Sequence, residues 1–392
     1  MIKFPYFLGI DLGSSGAKIA IVQKNKELIY FDEMKYSNGL EYTNDWVECC
    51  VSLINKIPKY ISEKIISCSV DGTSGTLMAC NSQGKPLGKA IPFNSIPYDR
   101  NTLIKTFSSE ERELFEQRSS IPRALFLLSK YGEKILLRHQ SDWLNGWLMN
   151  NWFYGEESNN LRLGWDAINK KWPKYIETKI QKESLPKIIE SGQRLGEINS
   201  NKAKYLGLNK GTIIIAGTTD SNAAFIASGA ELCEGVTVLG STIVLKRLSD
   251  FPLRNLGISN HRIHNKWLVG GASNAGCKVL SNFFTDQELK ELSQQINPNK
   301  GTGLEMVPLP SIGERFPIYD PNLQPILEPR PISDSLFLHS LLEGFAEIEY
   351  QGWEKFRSLG LQLPEKIITL GGGAKNNQWK KIREKKLGIP II

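Results

Sequence analysis

The feature that most restricts the fold of this chain is a pattern of strand, tight turn and strand that occurs twice. Residues 7–22 read as an apolar strand, a glycine-containing turn of small hydroxyl residues, and a second strand. Residues 236–247 read in the same way. Two such units in corresponding positions predict two related α/β domains, although two unrelated hairpins would give the same short pattern.

The other apolar patterns divide the chain into strands and helices. We predict strands over residues 7–11, 18–23, 27–34, 65–70, 77–81, 213–216, 236–239, 243–247, 267–269 and 367–370. We predict helices over residues 46–61, 122–131, 142–150, 221–228, 336–359 and 379–387. Pro58 is a weak point in the first of these helices, because proline interrupts helical hydrogen bonding.

Composition limits the class of protein. The chain is 41% hydrophobic and 23% charged, which is typical of globular proteins, and its net charge of +7 is mild for 392 residues. The chain contains no run of five or six like charges, so the sequence does not indicate a nucleic-acid partner. No apolar run approaches the roughly 20 residues that cross a bilayer. The six cysteines form no CxxC pair and the N-terminus does not resemble a signal peptide, so we expect a cytoplasmic protein.

The segment GIDLGSSGAK, residues 9–18, is the most specific motif in the chain. Asp11 ends an apolar strand, which places its carboxylate at the edge of a sheet. Gly13 allows a tight turn that exposes backbone N–H groups to an anion, and Ser14 and Ser15 add hydroxyl donors. The motif is neither a Walker loop nor a Rossmann fingerprint. It predicts a phosphate-binding turn, with a tight hairpin bearing a surface aspartate as the alternative.

Gly240, Ser241 and Thr242 repeat this chemistry between two later strands. Alone they would be an ordinary turn, but together with the first loop they predict a two-sided phosphate clamp. A third glycine-rich loop, residues 371–376, follows a strand and precedes a helix. Gly372 and Gly373 permit close approach of a ribose or a flat ring, and Asn376 offers hydrogen bonds. A flexible strand-to-helix turn is the alternative for this third loop.

Asp220 follows a buried strand and heads a helix of small residues. Such a carboxylate is a candidate general base, because a sugar hydroxyl is a poor nucleophile and must lose its proton during phosphoryl transfer. Simple stabilisation of the helix N-terminus is the alternative. The loop at residues 71–76 also ends a strand, and it either lines a substrate cleft or forms a plain turn. The tryptophans near it in sequence either pack on a sugar or belong to the core.

These motifs, in this order, resemble the FGGY carbohydrate kinases of the actin-like ATPase superfamily. The wording VDGTSGT and AGTTDSNAAFIASGA is most similar to the cyanobacterial and plant D-ribulose kinase-like branch. The resemblance implies an α/β fold with two actin-like (ribonuclease H-like) domains flanking a catalytic cleft. Residues 1–229 would bind the sugar and phosphates, and residues 230–392 would bind ATP. The second domain would lack the family's final helix, and a partner copy would cover the apolar surface left behind.

The resemblance also implies roles for single residues. Asp220 would deprotonate the terminal hydroxyl of an open-chain ketopentose, and Asp11 would hold Mg²⁺ through water and touch the sugar. Ser74 would contact the sugar. The phosphates of ATP would bind Gly13, Ser14, Ser15, Gly240, Ser241 and Thr242, and the adenosine would bind Gly372, Gly373 and Asn376.

The resulting expectation is an ATP-dependent and Mg²⁺-dependent kinase for D-ribulose, acting as a monomer or a homodimer with only small-molecule partners. D-xylulose is the alternative substrate. A sugar or nucleotide sensor without turnover, and an ATPase of the actin or chaperone type, are alternatives from other classes. Retention of both Asp11 and Asp220 favours the enzyme.

Overall fold

The computed structural model describes residues 5–95 and 120–392 of the chain. Residues 1–4 and 96–119 lie outside the described residues. The chain forms two compact units, Met1–Ala224 and Phe225–Ile392. Each unit is built on its own sheet and its own hydrophobic core.

The first unit contains a six-stranded sheet with the order β3-β2-β1-β4-β10-β9. Its strands are β1 (Tyr6–Leu12), β2 (Gly16–Gln23), β3 (Leu28–Lys35), β4 (Ile65–Gly72), β9 (Arg194–Glu197) and β10 (Ile213–Thr219). The strands β1 to β3 form an antiparallel meander, and β4 pairs in parallel with both β1 and β10. Because parallel strands end at the same edge, the residues after β1, β4 and β10 are brought together there.

Helix α1 (Thr43–Asn55) packs on this sheet through a buried face that includes Trp46, Cys50 and Leu53. The helix expected over residues 46–61 is in fact two elements. The first ends at Asn55, and a short helix α2 (Lys59–Ser62) begins after Pro58. The ring of Pro58 cannot continue the hydrogen-bond ladder of α1, so the chain restarts a new turn at this point.

The described residues between β4 and β9 form a smaller lobe with its own apolar cluster. It contains the strand pairs β5 (Leu77–Cys80) with β6 (Leu136–His139) and β7 (Tyr154–Glu156) with β8 (Lys187–Ile189). Its helices are α3 (Ile121–Tyr131), α4 (Gln140–Met149), α5 (Glu157–Asn160) and α6 (Lys174–Glu177), and α7 (Ser200–Leu206) follows β9. Trp143 and Trp152 are buried in the core of the unit. For these two rings the structure therefore favours core packing over stacking on a sugar.

The second unit contains a five-stranded sheet with the order β13-β14-β12-β11-β15. Its strands are β11 (Glu234–Leu239), β12 (Ile243–Ser249), β13 (Ile258–Ile263), β14 (Lys266–Ala272) and β15 (Lys366–Leu370). Helix α8 (Asp220–Ala227) precedes the sheet, and α9 (Cys277–Leu280), α10 (Asp286–Gln294), α11 (Asp334–Ser358) and α12 (Asn377–Leu387) follow its meander. In space, the neighbours β14-β12-β11-β15 of this sheet repeat the arrangement β3-β2-β1-β4 of the first sheet.

The edge of the second sheet continues beyond β15 into the last residues of the chain. Ile391 bridges Ile367 in parallel, and Thr369 donates its backbone N–H to the carbonyl of Ile392 at 2.7 Å. Among the helices in the described part of the chain, none is long and apolar enough to cross a membrane.

A buried ion pair joins the long helix α11 to α12 and to the sheet. Arg383 donates to both carboxylate oxygens of Glu349, with its Nη2 at 2.8 Å from Oε1, and both side chains are 1% exposed. Thr237 on β11 donates to the same carboxylate, and Thr369 on β15 accepts from Arg383. Every partner of this pair therefore comes from a different element of the second unit.

We expect Arg383→Met to destabilise the second unit by about 3–5 kcal/mol, because it leaves the Glu349 carboxylate buried without its cation. Urea unfolding followed by the fluorescence of the buried Trp353 and Trp379 measures this loss. The matched control is Arg357→Met, which removes an exposed partner of Glu354 and should cost less than about 1 kcal/mol. Equal losses for the two variants would contradict the structural role assigned to the buried pair.

Candidate active site

Three aspartates converge where the parallel strands of the first unit end. Asp11 on β1 and Asp71 on β4 are partners in the parallel register, and Thr219 at the end of β10 is paired with Gly72. Asp220 follows Thr219 directly and is exposed at the start of α8. The sheet therefore brings the two predicted carboxylates together and adds Asp71 between them.

Burial and mutual repulsion control the charges of these carboxylates. Burial raises the pKa of Asp71 to about 8, and the charges of Asp11 and Asp220 add to this effect. Burial also raises the pKa of Asp11, while the neighbouring Lys18 opposes the shift. The Oδ1 atom of Asp11 is buried and accepts no hydrogen bond from the described part of the chain. This edge therefore presents acceptor oxygens to whatever binds there.

The turn after β1 is a tight connection held by its own backbone. Gly13 donates its N–H to the carbonyl of Gly16 at 2.9 Å, and the carbonyl of Ser15 accepts from the backbone of Tyr36 at 3.0 Å. The side chains of Ser14 and Ser15 are exposed. The predicted hydroxyl donors therefore lie at the surface, directly after the strand that carries Asp11.

Asp220 makes a local contact with its own helix. Its Oδ1 accepts from the backbone N–H of Ser221 at 2.6 Å. A carboxylate in the first turn of a helix is stabilised by the free amides and the dipole. The stabilising role considered from the sequence and the general-base role are therefore compatible, because an exposed carboxylate has further lone pairs for a substrate proton.

A series of hydrogen bonds, in which each donor and acceptor is fixed, holds the loop after β4 (residues 73–76). Gln140 Oε1 accepts from the N–H of Thr73 at 3.1 Å and from its hydroxyl at 2.7 Å. The hydroxyl of Thr73 lies 2.7 Å from that of Thr76, which accepts from the N–H of Phe93 at 3.3 Å. Since Thr73 donates to Gln140, Thr76 must donate to Thr73, so this loop is fixed before any ligand arrives.

The same glutamine connects the loop to a tyrosine near Asp11. Gln140 donates from Nε2 to the hydroxyl oxygen of Tyr36 at 3.3 Å. Burial raises the pKa of Tyr36, and the charge of Asp11 is among the further causes. The phenol therefore stays protonated, and its proton is directed away from Gln140.

Ser74 sits in the middle of this loop, beside an arginine from the neighbouring lobe. Arg162 follows α5 in a short 3₁₀ turn, and its Nε donates to Ser74 Oγ at 3.2 Å. The next residue, Gly75, has a φ of +98°, and its carbonyl accepts from the hydroxyl of Ser120 at 3.3 Å. Side chains distant in sequence therefore hold Ser74 and its loop in position, and the contact of Ser74 with a sugar stays a prediction.

In the second unit the turn from residue 240 to 242 packs against a segment that the sequence did not single out. Gly240 accepts at its carbonyl from the N–H of Cys277 at 2.8 Å. A Cβ on Gly276 would lie 2.6 Å from the Cα of Thr242 and 2.7 Å from the carbonyl oxygen of Ser241. Gly276 is thus required for close approach of two backbone segments, and Ser241 remains exposed.

The third glycine-rich loop lies beside the same strand end. Gly371 has a φ of +90°, and a Cβ there would lie 2.5 Å from the carbonyl oxygen of Leu239, which precedes Gly240. Gly373 packs against Leu239 and Trp379, where a Cβ would lie 2.7 Å and 2.6 Å from their side chains. The two predicted nucleotide loops of the second unit therefore meet at the end of β11.

The side chain of Asn376 is hydrogen-bonded to other residues of the second unit. Its Oδ1 accepts from the N–H groups of Gln378 at 3.1 Å and Trp379 at 3.0 Å, which caps α12. Its Nδ2 donates to Ser293 at the end of α10 at 2.8 Å. The side chain that we expected to bind adenosine is thus occupied within the chain, and its contact with a nucleotide stays a prediction.

Sequence reasoning missed four contributors to these sites: Asp71 as a charged group, Gln140, Arg162 and Gly276. The position of Asp71 at the end of an apolar strand, as for Asp11, was a usable signal. Gln140 and Arg162 lie 67 and 88 residues from their partners in the loop, so no local pattern indicates them. Gly276 follows a glycine-rich strand end, which is a weak signal of close packing.

The chain is similar to known carbohydrate kinases. Residues 129–227 match the N-terminal domain of the FGGY family of carbohydrate kinases. The chain is 24% identical over 424 residues to a xylulose kinase from Haemophilus influenzae, covering 96% of this chain and 84% of the relative. A weaker match, 20% identical over 296 residues, is a ribulokinase from Staphylococcus aureus, covering 60% of this chain and 53% of the relative.

The structure of a xylulose kinase from Rhodospirillum rubrum superposes with a TM-score of 0.85 and 15% identity, covering 98% of this chain and 86% of that one. The fold is therefore the mixed α/β fold of the two-domain sugar kinases, as the sequence predicted. The chain is therefore similar to carbohydrate kinases along nearly its whole length, and its match to the model of the FGGY family spans residues 129–227.

The raised pKa of Asp71 predicts how stability depends on pH. Between the ordinary pKa of 3.8 and the folded pKa of about 8, the folded chain holds a proton that the unfolded chain releases. Stability should therefore fall as the pH rises through this range, and Asp71→Asn should flatten the dependence and be more stable than wild type at pH 8. Urea unfolding of the ligand-free protein at pH 5 and pH 8 measures both effects.

The control is Asp32→Asn, the same substitution at a carboxylate whose pKa is lowered instead of raised. The hydrogen bond from Lys56 lowers the pKa of Asp32, so its contribution is present above the ordinary pKa and is lost as the pH falls. This variant should be slightly less stable at pH 8. Parallel pH curves for wild type and Asp71→Asn would show that Asp71 ionises normally.

Proposed function

We propose that this protein is an ATP-dependent kinase that phosphorylates the terminal hydroxyl of an open-chain ketopentose. The observation that carries the proposal is the convergence of Asp11 and Asp220 at one sheet edge of the first unit, where the glycine and serine turn follows the strand of Asp11. The match of residues 129–227 to the N-terminal domain of the FGGY carbohydrate kinases supports the reaction class. The first unit would bind the sugar, and the loops of the second unit would bind the nucleotide.

Asp220 acts as the general base in this reaction. The sugar hydroxyl donates its proton to the Asp220 carboxylate as its oxygen forms a bond to the γ-phosphorus of ATP, and the bond from that phosphorus to ADP breaks. The exposed position of Asp220 after β10 supports this role, since a base must be within reach of its substrate. The N–H of Ser221 orients the carboxylate by its hydrogen bond.

Asp11 fits a magnesium ion, because its buried Oδ1 accepts no hydrogen bond within the described residues and carboxylate oxygen is a preferred ligand. Those residues contain no group of three or more His, Cys, Asp or Glu side chains placed to hold a metal. Asp11 would therefore share the ion with water and phosphate oxygens, as is usual for Mg²⁺. The bound ion would neutralise charge on the transferred phosphoryl group.

Among ketopentoses, D-xylulose is favoured over D-ribulose. The long alignment belongs to a xylulose kinase, whereas the ribulokinase match is shorter and weaker. This weighs against our expectation of the D-ribulose kinase-like branch, which rested on the wording of two motifs. D-ribulose is kept as the second candidate because those motifs contain Ser74 and Asp220. We place the kinase in the cytoplasm as a monomer or a homodimer.

An assay that couples ADP release to NADH oxidation, run with D-xylulose, D-ribulose, L-ribulose and glycerol, tests the proposed function. Asp220→Asn should lower kcat by about 10²–10⁴-fold, because the substrate proton then has no acceptor. The control Asp32→Asn removes a carboxylate on β3 that is paired with Lys56, and it should retain activity. If no sugar stimulates ADP release by wild type above the rate of Asp220→Asn, the kinase proposal fails.

The role of the second unit is tested by Gly371→Ala. A methyl group there would collide with the backbone at Leu239, so we expect the KM for ATP to rise about tenfold or more while the KM for the sugar changes little. The control is Gly360→Ala, which has a similar φ of +100° but meets only the side chain of Phe251 at 3.7 Å. An unchanged KM for ATP in Gly371→Ala would remove this loop from the nucleotide site.

A further inference from the structure

Strand β10 contains an irregularity directly before Asp220. Ala216 is paired with Val70 and Thr219 with Gly72, so between these two pairs β10 has one residue more than β4. An extra residue of this kind is a β-bulge, which bends its strand and redirects the side chains that follow it. The position of the Asp220 carboxylate therefore depends on how this bulge is held.

The bulge contains Gly217 and Thr218. A Cβ on Gly217 would lie 2.0 Å from the carbonyl oxygen of Val70, so the two strands approach too closely here for any side chain. A bulge also disrupts the ladder of backbone hydrogen bonds locally. At this disruption the carbonyl of Thr218 accepts from a side chain, the Nδ2 of Asn159, at 3.4 Å.

Thr218 is held a second time through its own side chain. Asn222, in the first turn of α8, donates from Nδ2 to Thr218 Oγ1 at 3.2 Å, and both residues are buried. Asp220 lies midway between these two residues in sequence, so this hydrogen bond closes a short loop that contains it. Two asparagines therefore fix the backbone that carries the proposed general base.

The orientation of the Asn159 amide follows from its neighbours. Its Nδ2 lies 3.4 Å from the carbonyl oxygen of Thr218 and 3.2 Å from Glu156 Oε2. A carbonyl oxygen only accepts, so the amide atom that faces it must be the nitrogen. Ser141 Oγ accepts from the same nitrogen at 3.1 Å, and Asn159 is fully buried.

Glu156 in turn fixes the backbone of Asn159. This carboxylate caps α5, because its Oε1 accepts from the N–H of Ser158 at 2.6 Å and its Oε2 from the N–H of Asn159 at 2.9 Å. Ser191 donates to Oε1 at 2.5 Å, and the N–H of Glu156 donates to Asp142 Oδ1 at 2.7 Å. The contact from Asn159 to the bulge therefore rests on a buried network of the smaller lobe that needs no substrate to form.

We propose that Asn159 is a positioning residue for the general base Asp220. It holds the carbonyl of Thr218 while Asn222 holds the side chain, and together the two hydrogen bonds set where the Asp220 carboxylate meets the substrate hydroxyl. This inference rests on the proposed kinase function and adds to it residues that act without touching the substrate. Because a misplacement of about 1 Å can lower a rate 10²-fold, the loss of either hydrogen bond should appear in kcat.

The test measures kcat and the KM values for the sugar and for ATP on the full chain, with D-xylulose and with D-ribulose. Asn159→Ala should lower kcat by about 10- to 100-fold while both KM values stay within about twofold. The matched control is Asn199→Ala, which removes two hydrogen bonds to backbone N–H groups at the start of α7 in the same unit. It should keep the kcat of wild type, and urea unfolding reports whether each variant is folded.

A second pair of variants tests the hydrogen bond from Asn222. Thr218→Val keeps the shape of the side chain but removes its acceptor, so kcat should fall by about tenfold. Thr218→Ser keeps the acceptor oxygen and should stay near wild type. If Asn159→Ala does not fold, this pair decides the proposal, and equal values of kcat for the two variants would overturn it.

A double variant separates positioning from general damage. Because Asn159 acts through the carboxylate of Asp220, adding Asn159→Ala to Asp220→Asn should lower kcat no further. A purely structural defect would instead lower kcat by the same factor with and without that carboxylate.

The outcomes that overturn the inference differ from those that overturn the kinase. A wild-type kcat in Asn159→Ala would show that the bulge needs no support from this side chain, and additive effects in the double variant would show a structural role only. A change confined to the KM for the sugar would place Asn159 in substrate binding. Each of these leaves the kinase function intact, whereas wild type that phosphorylates no pentulose overturns the proposed function and the inference with it.

Discussion

The parallel pairing of β4 with both β1 and β10 is the constraint on which the first unit depends. It aligns Asp11 with Asp71 and places Asp220 one residue beyond the neighbouring strand. Burial raises the pKa of Asp71 to about 8, and the charges of Asp11 and Asp220 add to this shift. The cost is met by the apolar residues of the same strands, Ile10, Val70 and Ile214, which are at most 1% exposed. The core therefore holds in place a charge arrangement that would not assemble without it.

The loop after β4 is also held in one arrangement, by hydrogen bonds whose donors and acceptors are fixed. A backbone N–H must donate, so the Thr73 N–H identifies Oε1 as the Gln140 atom that faces Thr73. The Thr73 hydroxyl then donates to the same oxygen, and the Thr76 hydroxyl donates to Thr73. A ligand at this loop meets hydroxyl groups that are already oriented, and the entropy of ordering them has been lost on folding.

Much of the fold was visible in the sequence, because strand ends and turns carry local signals. The strand predicted over residues 7–11 differs from β1 by one residue at each end. Strand β13 was missed because its sequence, ISNHRI, lacks a clear alternation of apolar and polar residues. The site was predictable only where a local motif existed, as at Asp11 and Asp220. Gln140 and Arg162 reach their partners through tertiary contacts across the lobe, and the charge shift of Asp71 depends on strand register, which no single segment encodes.

The close packing of Gly276, Gly371 and Gly373 in the second unit has an evolutionary consequence. Gly276 and Gly371 approach main-chain atoms, and Gly373 approaches the side chains of Leu239 and Trp379, so the geometry of those loops requires that these three positions lack side chains. The loop after β4 is shaped instead by the side chains of Gln140, Arg162 and Ser120. Under the proposed function, a lineage could therefore change its acceptor by single substitutions in the first unit without altering the glycine packing of the second. Divergence among related genes would then accumulate in sugar choice faster than in the identity of the phosphate donor.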